Sequence, residues 1–511
     1  MEINNTSPNE VFKTLSGLKK NGHIHDISIR FLKLGGLPLS EILSNFYNKC
    51  FNNGYFPKIF KLSKITPVHK KGPSDLIENY RPISVLNNLG KIFESILYLR
   101  LKQFFKDENH LSEKEYGFRA GKNTELAVID LFHKVLPAIE QKKFAICVFL
   151  DYSSCFDTID RNILMSKLYK YGIRGLNYDI INSYFSDRHQ YVEFQNCKSR
   201  SMSQNLGIVQ GSRLGPLMWD IHSTDFNSLC SRDENILYAD DACLIYVSEN
   251  LQELTDHVNM RLNIINEWCN ANKLLINRNK SEVMIITNKH VTSIPDVRIG
   301  QDKLKVVKHF KYLGINIDDS CKFNTHIDLL KSRMSSLRGM SYRLKNHLDI
   351  RAAKNVYYSC VYSIVSYGIS VWGGALNCNH RADCLIRLQK HILNNLFSKF
   401  YPDNINIHVR EGILKISDIY RMRVAVLMYR VLVLNELPSL RNNIILTPAP
   451  HDYNTRNATN LIPPYPRTDV IKMSYKYQFI NMWNSIPEFI GLLPTLKLFK
   501  KSLTDHFLNM Y

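Results

Sequence analysis

Acidic residues are scarce beside basic ones in this chain of 511 residues: 46 Asp and Glu stand against 66 Lys and Arg, a formal net charge of +20. So large an excess of one sign needs counter-charge, and nucleic acid and anionic membrane are its usual sources. Long hydrophobic runs are also lacking. The apolar stretch 144–150 falls far short of the roughly 20 residues that span a bilayer. Residues 1–10 are polar and have no apolar core of the signal-peptide kind. These absences argue against a membrane partner. Cysteine is sparse, 11 in all, with no paired C-x-x-C spacing, so no disulfide framework is expected and an intracellular protein, cytoplasmic or nuclear, is the simple reading. Cys378, His380 and Cys384 form one small group, read as a chance grouping because a fourth ligand at finger-like spacing is missing. There is no repeat of solenoid length and no long low-complexity tract.

What is present is an ordinary globular composition, 45% hydrophobic and 22% charged, in a chain long enough for several domains. Residues 1–60 mix helical periodicity with turns at Gly35-Gly36 and Asn53-Gly54. A basic segment punctuated by Pro67 follows, then Asn79-Tyr80-Arg81-Pro82. Ile92, Phe93, Ile96, Leu97 and Phe104 predict an amphipathic helix over 89–106. The run 144–150 suits a buried strand ending at Asp151. Residues 236–247 suit a hairpin whose turn exposes Asp240 and Asp241. Leu254, Val258, Leu262, Ile265 and Cys269 predict a helix over 251–271, and 281–287 and 310–317 read as further strands. The expected fold is α+β, with an antiparallel or mixed sheet carrying helices on one face. Beyond 320 the pattern turns helical: Ile327, Leu330, Met334, Leu337 and Leu344 form a stripe, with Lys331, Arg338, Arg343 and Lys345 adding charge. Residues 447–467, rich in Pro, Asn and Tyr, read as a loop, and a boundary is placed near 400.

Three features carry chemistry. Two are the acids: Asp151 at the end of its apolar strand, and the pair Asp240-Asp241. An isolated Asp-Asp pair is more often a turn. Within an apolar hairpin, however, two adjacent acids are costly without a cation. Mg2+ suits carboxylate and phosphate oxygens, and two such ions about 4 Å apart serve phosphoryl transfer. Asp157 reads as a helix cap near Asp160, or as part of a salt bridge, rather than as a metal ligand. The third feature is 206–217, where Gly211 lets the backbone approach a ligand and Gln210 is placed to bond a nucleotide or template; a plain strand-to-helix loop is as good a reading of that segment alone.

These residues, in order, resemble the reverse transcriptases of non-LTR retrotransposons, particularly the jockey-like and related LINE-type elements. The resemblance covers roughly residues 10–400. It runs through Pro67-Val68-His69-Lys70-Lys71-Gly72, Asn79 to Ser84, Tyr116-Gly117-Phe118-Arg119 with Thr124, and Asp151 with Tyr152, Phe156 and Asp157. It continues through Gln210-Gly211 with Gly215-Pro216, Tyr238 to Asp241, Asn279-Lys280-Ser281, and Tyr312-Leu313-Gly314. The resemblance implies a right-hand polymerase of fingers, palm and thumb, with an antiparallel palm sheet and a mainly helical C-terminal part. The implied division is an extension at 1–60, fingers and palm at 61–318, a thumb-like region at 319–400 and a region of unknown role at 401–511.

The implied activity is RNA-directed DNA synthesis by two-metal nucleotidyl transfer. Asp151, Asp240 and Asp241 would hold two Mg2+, with Mn2+ as substitute. Lys70, Lys71 and Arg81 would clamp the incoming dNTP, Arg81 through bidentate donors. Tyr152, Gln210 and Gly211 belong to the same nucleotide site, and Lys280 would protonate departing pyrophosphate. Phe156 stands where the family carries an aromatic gate against the ribose 2′-hydroxyl; ordinary core packing is the competing reading. The partners implied are an RNA template, a DNA primer or hybrid, and a separate endonuclease or element RNA-binding protein, since no room for an endonuclease is left upstream. Two departures stand out: Arg213 replaces a small or apolar residue, and Trp219-Asp220-Ile221-His222 is more polar than usual. A catalytically decayed RNA-binding protein and an RNA-copying RNA polymerase are the alternatives.

Overall fold

The computed structural model describes residues 4–18, 27–230, 235–291, 293–377, 380–402, 405–437, 440–441, 461–463, 465–466 and 468–511. Cys378 and most of the 447–467 segment lie outside them. The chain divides into two units, and the division passes through two strands, after Phe149 and after Ala242.

The first unit takes Met1–Phe118, Leu150–Ala242 and Met260–Lys280. Its helix Pro8–Gly17 starts with Pro8 in the first turn and Ser7 accepting from the Glu10 N–H, a standard N-cap. Helix Asn88–Asp107 is capped in the same way by Asn87. Ile92, Phe93, Ile96 and Leu97 are fully buried on it, as the periodicity predicts, while Phe105 and Leu101 take the inward places further along and Phe104 is only half-buried. Phe93 stacks on Tyr47 and Phe56, with ring centroids 4.9 and 5.3 Å away. Strand Leu62–His69 pairs antiparallel with Tyr80–Leu86 and parallel with His189–Phe194. The connection between the first two carries Lys70 and Lys71, both exposed.

The second unit takes Arg119–Phe149, Cys243–Asn259 and Ser281–Tyr511. Phe144–Leu150 is buried along its whole length and pairs antiparallel with Glu282–Ile286, from Ala145 opposite Ile286 to Phe149 opposite Glu282. Lys305–Val306 joins the outer side of Glu282–Ile286 in parallel, and Asp241–Ser248 lies on the other side of Phe144–Leu150. The sheet is therefore mixed, within an α+β fold. Leu251–Ala271 is one helix, its residues to Asn259 counted with the second unit and the rest with the first, and Leu254, Val258, Leu262, Ile265 and Cys269 are all buried.

The expected strand over 310–317 is instead a hairpin, His309–Tyr312 with Ile315–Asp318. Its turn puts Leu313 and Gly314 at φ 45° and 85°. A Cβ on Gly314 would meet the Tyr367 ring at 2.9 Å, so the turn needs glycine for both conformation and space. An apolar count cannot reveal that a run reverses. Asp318 then accepts from the N–H groups of Lys322 and Asn324 and opens helix Asn324–Leu344. On that helix Ile327, Leu330 and Met334 are buried, whereas Leu337 and Leu344 are half-exposed; Lys331, Arg338 and Arg343 face solvent.

Every cysteine among the described residues is a free thiol. Among the same residues no single helix is long and apolar enough to cross a membrane; the pair Ile350–Ser366 and Ile369–Leu376 reaches that length and composition only together, bent by 53°. Val361, Val365 and Trp372 of that pair are buried in the protein.

Candidate active site

Asp151 is the first residue after its buried strand, which leaves its carboxylate half-exposed at the strand end. Residues 151–153 are stitched to 275–277: the Asn277 N–H donates to the Asp151 carbonyl at 2.7 Å, and the Ser153 N–H to the Leu275 carbonyl at 2.8 Å. Tyr152 and Ile276 form the bridge between those bonds. A short turn then carries Lys280 back, with its Nζ 3.9 Å from Asp151 Oδ2.

Strand Asn235–Tyr238 leads into a turn at Ala239-Asp240, and Asp241 opens the next strand. Ala239 sits at φ 55°, a left-handed conformation that a non-glycine residue holds only when its surroundings impose it. Those surroundings are plain. Trp219 Nε1 donates to the Ala239 carbonyl at 2.8 Å, and the Ala239 N–H donates to Glu115 Oε1 at 3.1 Å. Gly117 backs the turn so closely that a Cβ there would meet the Ala239 nitrogen at 2.6 Å. The Tyr116 N–H donates to the Leu237 carbonyl, and the Leu237 N–H to the Lys114 carbonyl.

Asp240 and Asp241 both reach solvent. Burial is thus partial, yet desolvation remains the larger part of the cost of the pair, with mutual repulsion second. Partial desolvation, then the charges of Asp240 and Asp151, push the Asp241 carboxyl up to about 6, against the opposing Arg81 guanidinium. Desolvation and Asp240 likewise raise Asp151, against Lys280. The three acids therefore act on one another, with Lys280 beside Asp151 and Arg81 opposing the rise of Asp241. Among the described residues no three His, Cys, Asp or Glu side chains are gathered tightly enough to hold an ion by themselves. The donor set is nevertheless all carboxylate oxygen, the hard type that Mg2+ and Mn2+ prefer, and Lys280 already sits as a cation beside Asp151.

Asp157 is not the helix cap expected of it. Asp160 caps helix Arg161–Lys170, accepting from the Asn162 and Ile163 N–H groups, because its position leaves two free N–H groups ahead of it. Asp157 instead accepts from Gln210 Nε2 at 2.8 Å; desolvation raises its pKa, against that hydrogen bond and the charge of Lys70. Gln210 thus orients an acid, and its carbonyl accepts from the Ser84 N–H at 2.8 Å. Gly211, at φ 96°, lies where a Cβ would stand 2.9 Å from the Ser84 carbonyl. Beside them opens a polar pocket of about 370 Å³, lined by Pro82, Ser84, Asp157, Gln190, Asn205 and Gln210 among others. Phe156 is half-buried and stacks on Trp219, centroids 5.7 Å apart at 21°. Tyr152 is buried with its edge against the same indole, 5.9 Å away.

Trp219 and Glu115 are the residues that sequence reasoning missed. Trp219 stood out only as an unexpected polar departure; its N–H is the donor that holds the acid-bearing turn. The rest of that segment, Asp220, Ile221 and His222, is buried with it. Arg213 lies over the Tyr98 ring, 5.2 Å from its centroid, which accounts for a cation at that place.

Residues 68–317 match the family described as reverse transcriptase (RNA-dependent DNA polymerase). The chain is 31% identical over 386 residues to the probable RNA-directed DNA polymerase from transposon BS of Drosophila melanogaster, covering 73% of this chain and 42% of that protein. It is 27% identical over 345 residues to the RNA-directed DNA polymerase from mobile element jockey of the same organism, covering 65% and 37%. The chain thus spans less than half the length of these curated relatives. Telomerase from Candida albicans, solved with a fragment of telomeric RNA, aligns with a TM-score of 0.37 at 15% identity, over 70% of this chain and 68% of that one.

Proposed function

We propose, from the premise that residues 68–317 are a reverse transcriptase domain of the non-LTR retrotransposon kind, that this chain is an RNA-directed DNA polymerase extending a primer 3′-hydroxyl with dNMP. One observation carries the reading: Asp151, held to residues 275–277 at the end of its strand with Lys280 Nζ 3.9 Å away, and the Asp240-Asp241 pair, held at the Ala239 turn, come from separate segments and act on one another's charge. In the reaction the primer O3′ bonds to the α-phosphorus of the dNTP, the bond to pyrophosphate breaks, and the hydroxyl proton is lost.

Asp151 and Asp240 would hold two Mg2+, or Mn2+, with Asp241 completing the set. Such ions activate the attacking oxygen and neutralise the leaving one. Substrate phosphates would finish the coordination that three separated carboxylates leave open. Arg81 and Lys70 present charge where the triphosphate would lie, and Lys71 shares their exposed turn. Lys280, with its Nζ 3.9 Å from Asp151, would give a proton to departing pyrophosphate. Gln210, which orients Asp157, and Gly211, packed on Ser84, would shape the floor of the nucleotide site beside the polar pocket. Phe156, braced by Trp219, would meet a 2′-hydroxyl. Tyr152 has its ring in the core, which leaves its backbone to face the nucleotide.

The test is extension of oligo(dT) on poly(A). An outer partner of a metal ligand is worth roughly 10- to 100-fold, so Asp240→Asn, which alters a ligand itself, should lose more than that while RNA binding persists. Undiminished synthesis by this variant would sink the assignment. Incorporation of rNTPs in preference to dNTPs would move it to RNA synthesis.

A further inference from the structure

The geometry points to a second nucleic-acid contact, in the C-terminal half, that takes a stacked nucleotide of a single strand between Tyr358, Tyr362, Arg423 and Lys500. These residues line a pocket of about 400 Å³. That volume lies within the roughly 300–1,000 Å³ usual for small-ligand sites, enough for a nucleobase and its sugar.

Its walls are ordered by a buried glutamine. Gln389 donates to the Tyr357 hydroxyl at 2.8 Å and to the Leu414 carbonyl at 2.9 Å, and accepts from the Ile416 N–H at 3.0 Å. Tyr357 is the buried floor. It begins a π-helical turn, Tyr357–Tyr362, a wide turn of the kind often found at functional sites. That turn presents two accessible rings: Tyr358, 39% exposed, and Tyr362, with centroids 5.4 Å apart. Arg423 of helix Ile416–Leu432 and Lys500 of helix Leu496–Asn509 stand exposed around them. Neither cation has a carboxylate partner among the described residues, and the pocket is lined by no acid. The nearby Glu411 is engaged by Lys354 at 3.5 Å.

Aromatic faces beside unpaired cations are the two elements by which single strands are held: bases stack on the rings, and phosphates meet the charges. An acidic peptide would use the cations but leave the rings idle. The chain's net charge of +20 favours the same class of ligand. This contact uses none of the residues assigned to catalysis.

The experiment uses the full chain with template–primer hybrid already bound in excess, and measures binding of labelled oligo(U) and oligo(dT) by fluorescence anisotropy across a salt series. Tyr358→Ala should raise Kd roughly tenfold, as the loss of one stacked base would, while Tyr358→Phe should not. Arg423→Gln with Lys500→Gln should flatten the log–log salt dependence by about 1.4, from about 0.7 for each phosphate contact on a single strand. Should Tyr358→Ala fail to fold, the two exposed cations still decide the matter. A preference between the oligomers tells RNA from DNA as the strand held, and either supports the site. Unchanged affinity and unchanged salt slope overturn it. Nucleotide incorporation is not read in this assay, so inactivity as a polymerase would leave its result standing.

Discussion

Trp219 shows how much one side chain can hold. Its N–H ties the Ala239 carbonyl, while its ring faces carry Phe156 and meet Tyr152. Trp219→Phe keeps most of the ring and removes the donor. Because Ala239 is held at positive φ, losing that bond should let Asp240 drift. The expected outcome is a roughly 10- to 100-fold lower kcat for dNTP incorporation with little change in KM, read by steady-state extension below the Tm, which the smaller buried ring and lost bond should themselves lower. An unchanged kcat in the folded variant would mark Trp219 as merely structural. Phe156→Ala tests the gate. If the ring excludes the 2′-hydroxyl, the preference for dNTP over rNTP should shrink by roughly a hundredfold. A preference left intact would return Phe156 to packing alone.

Among elements, Glu94 does the joining. It is 1% exposed on helix Asn88–Asp107, and its Oε1 accepts from the Tyr184 hydroxyl at 2.9 Å and the Leu214 N–H at 3.1 Å. Leu214 begins helix Leu214–Ser223, so the carboxylate also meets the positive end of that helix. Three helices thus meet at one buried acid. Glu94→Ala leaves two buried donors without an acceptor, each costing about 1–3 kcal/mol. Denaturant unfolding should show that loss, and Glu94→Gln, which keeps an acceptor oxygen, should recover much of it. The helices themselves were legible from sequence, because 3.6-residue periodicity and caps such as Asn87 and Ser7 are local. The partner of Glu94 was not, since Tyr184 and Leu214 lie 90 and 120 residues away.

At the scale of the molecule, buried histidines set the response to acid. Burial, then Lys167, lowers the His222 pKa to about 3, and burial lowers His326 to about 4. Neither ring nitrogen of His222 has a hydrogen-bond partner. An unfolded histidine titrates near 6.5, so below that pH the unfolded chain binds protons that the folded chain refuses. Stability from these groups is complete above about pH 6.5 and is lost as pH falls toward 3–4. Equilibrium unfolding between pH 7 and 4 should show the decline, and His222→Phe should make it shallower. A decline of the same slope in that variant would contradict the assignment.

Local chemistry was decided by the sequence alone. An apolar run needs burial on both sides, so Phe144–Leu150 suited an interior strand with Asp151 at its end, as the structure has it. Asp240-Asp241 between two apolar runs suited a reversal, and the turn at Ala239-Asp240 bears that out. The order of these motifs carried the family, because it survives whatever the loops between them do. Tertiary structure alone decided which residues hold the acids in place. Glu115, Gly117 and Trp219 reach Ala239 across distances along the chain that no periodicity spans. It also decided that Asp160 caps the helix while Asp157 turns to Gln210, and that the run ending at Asp318 doubles back at Gly314. A hydrogen bond needs two groups within about 3 Å in space, and sequence order states only which groups exist, not which of them meet.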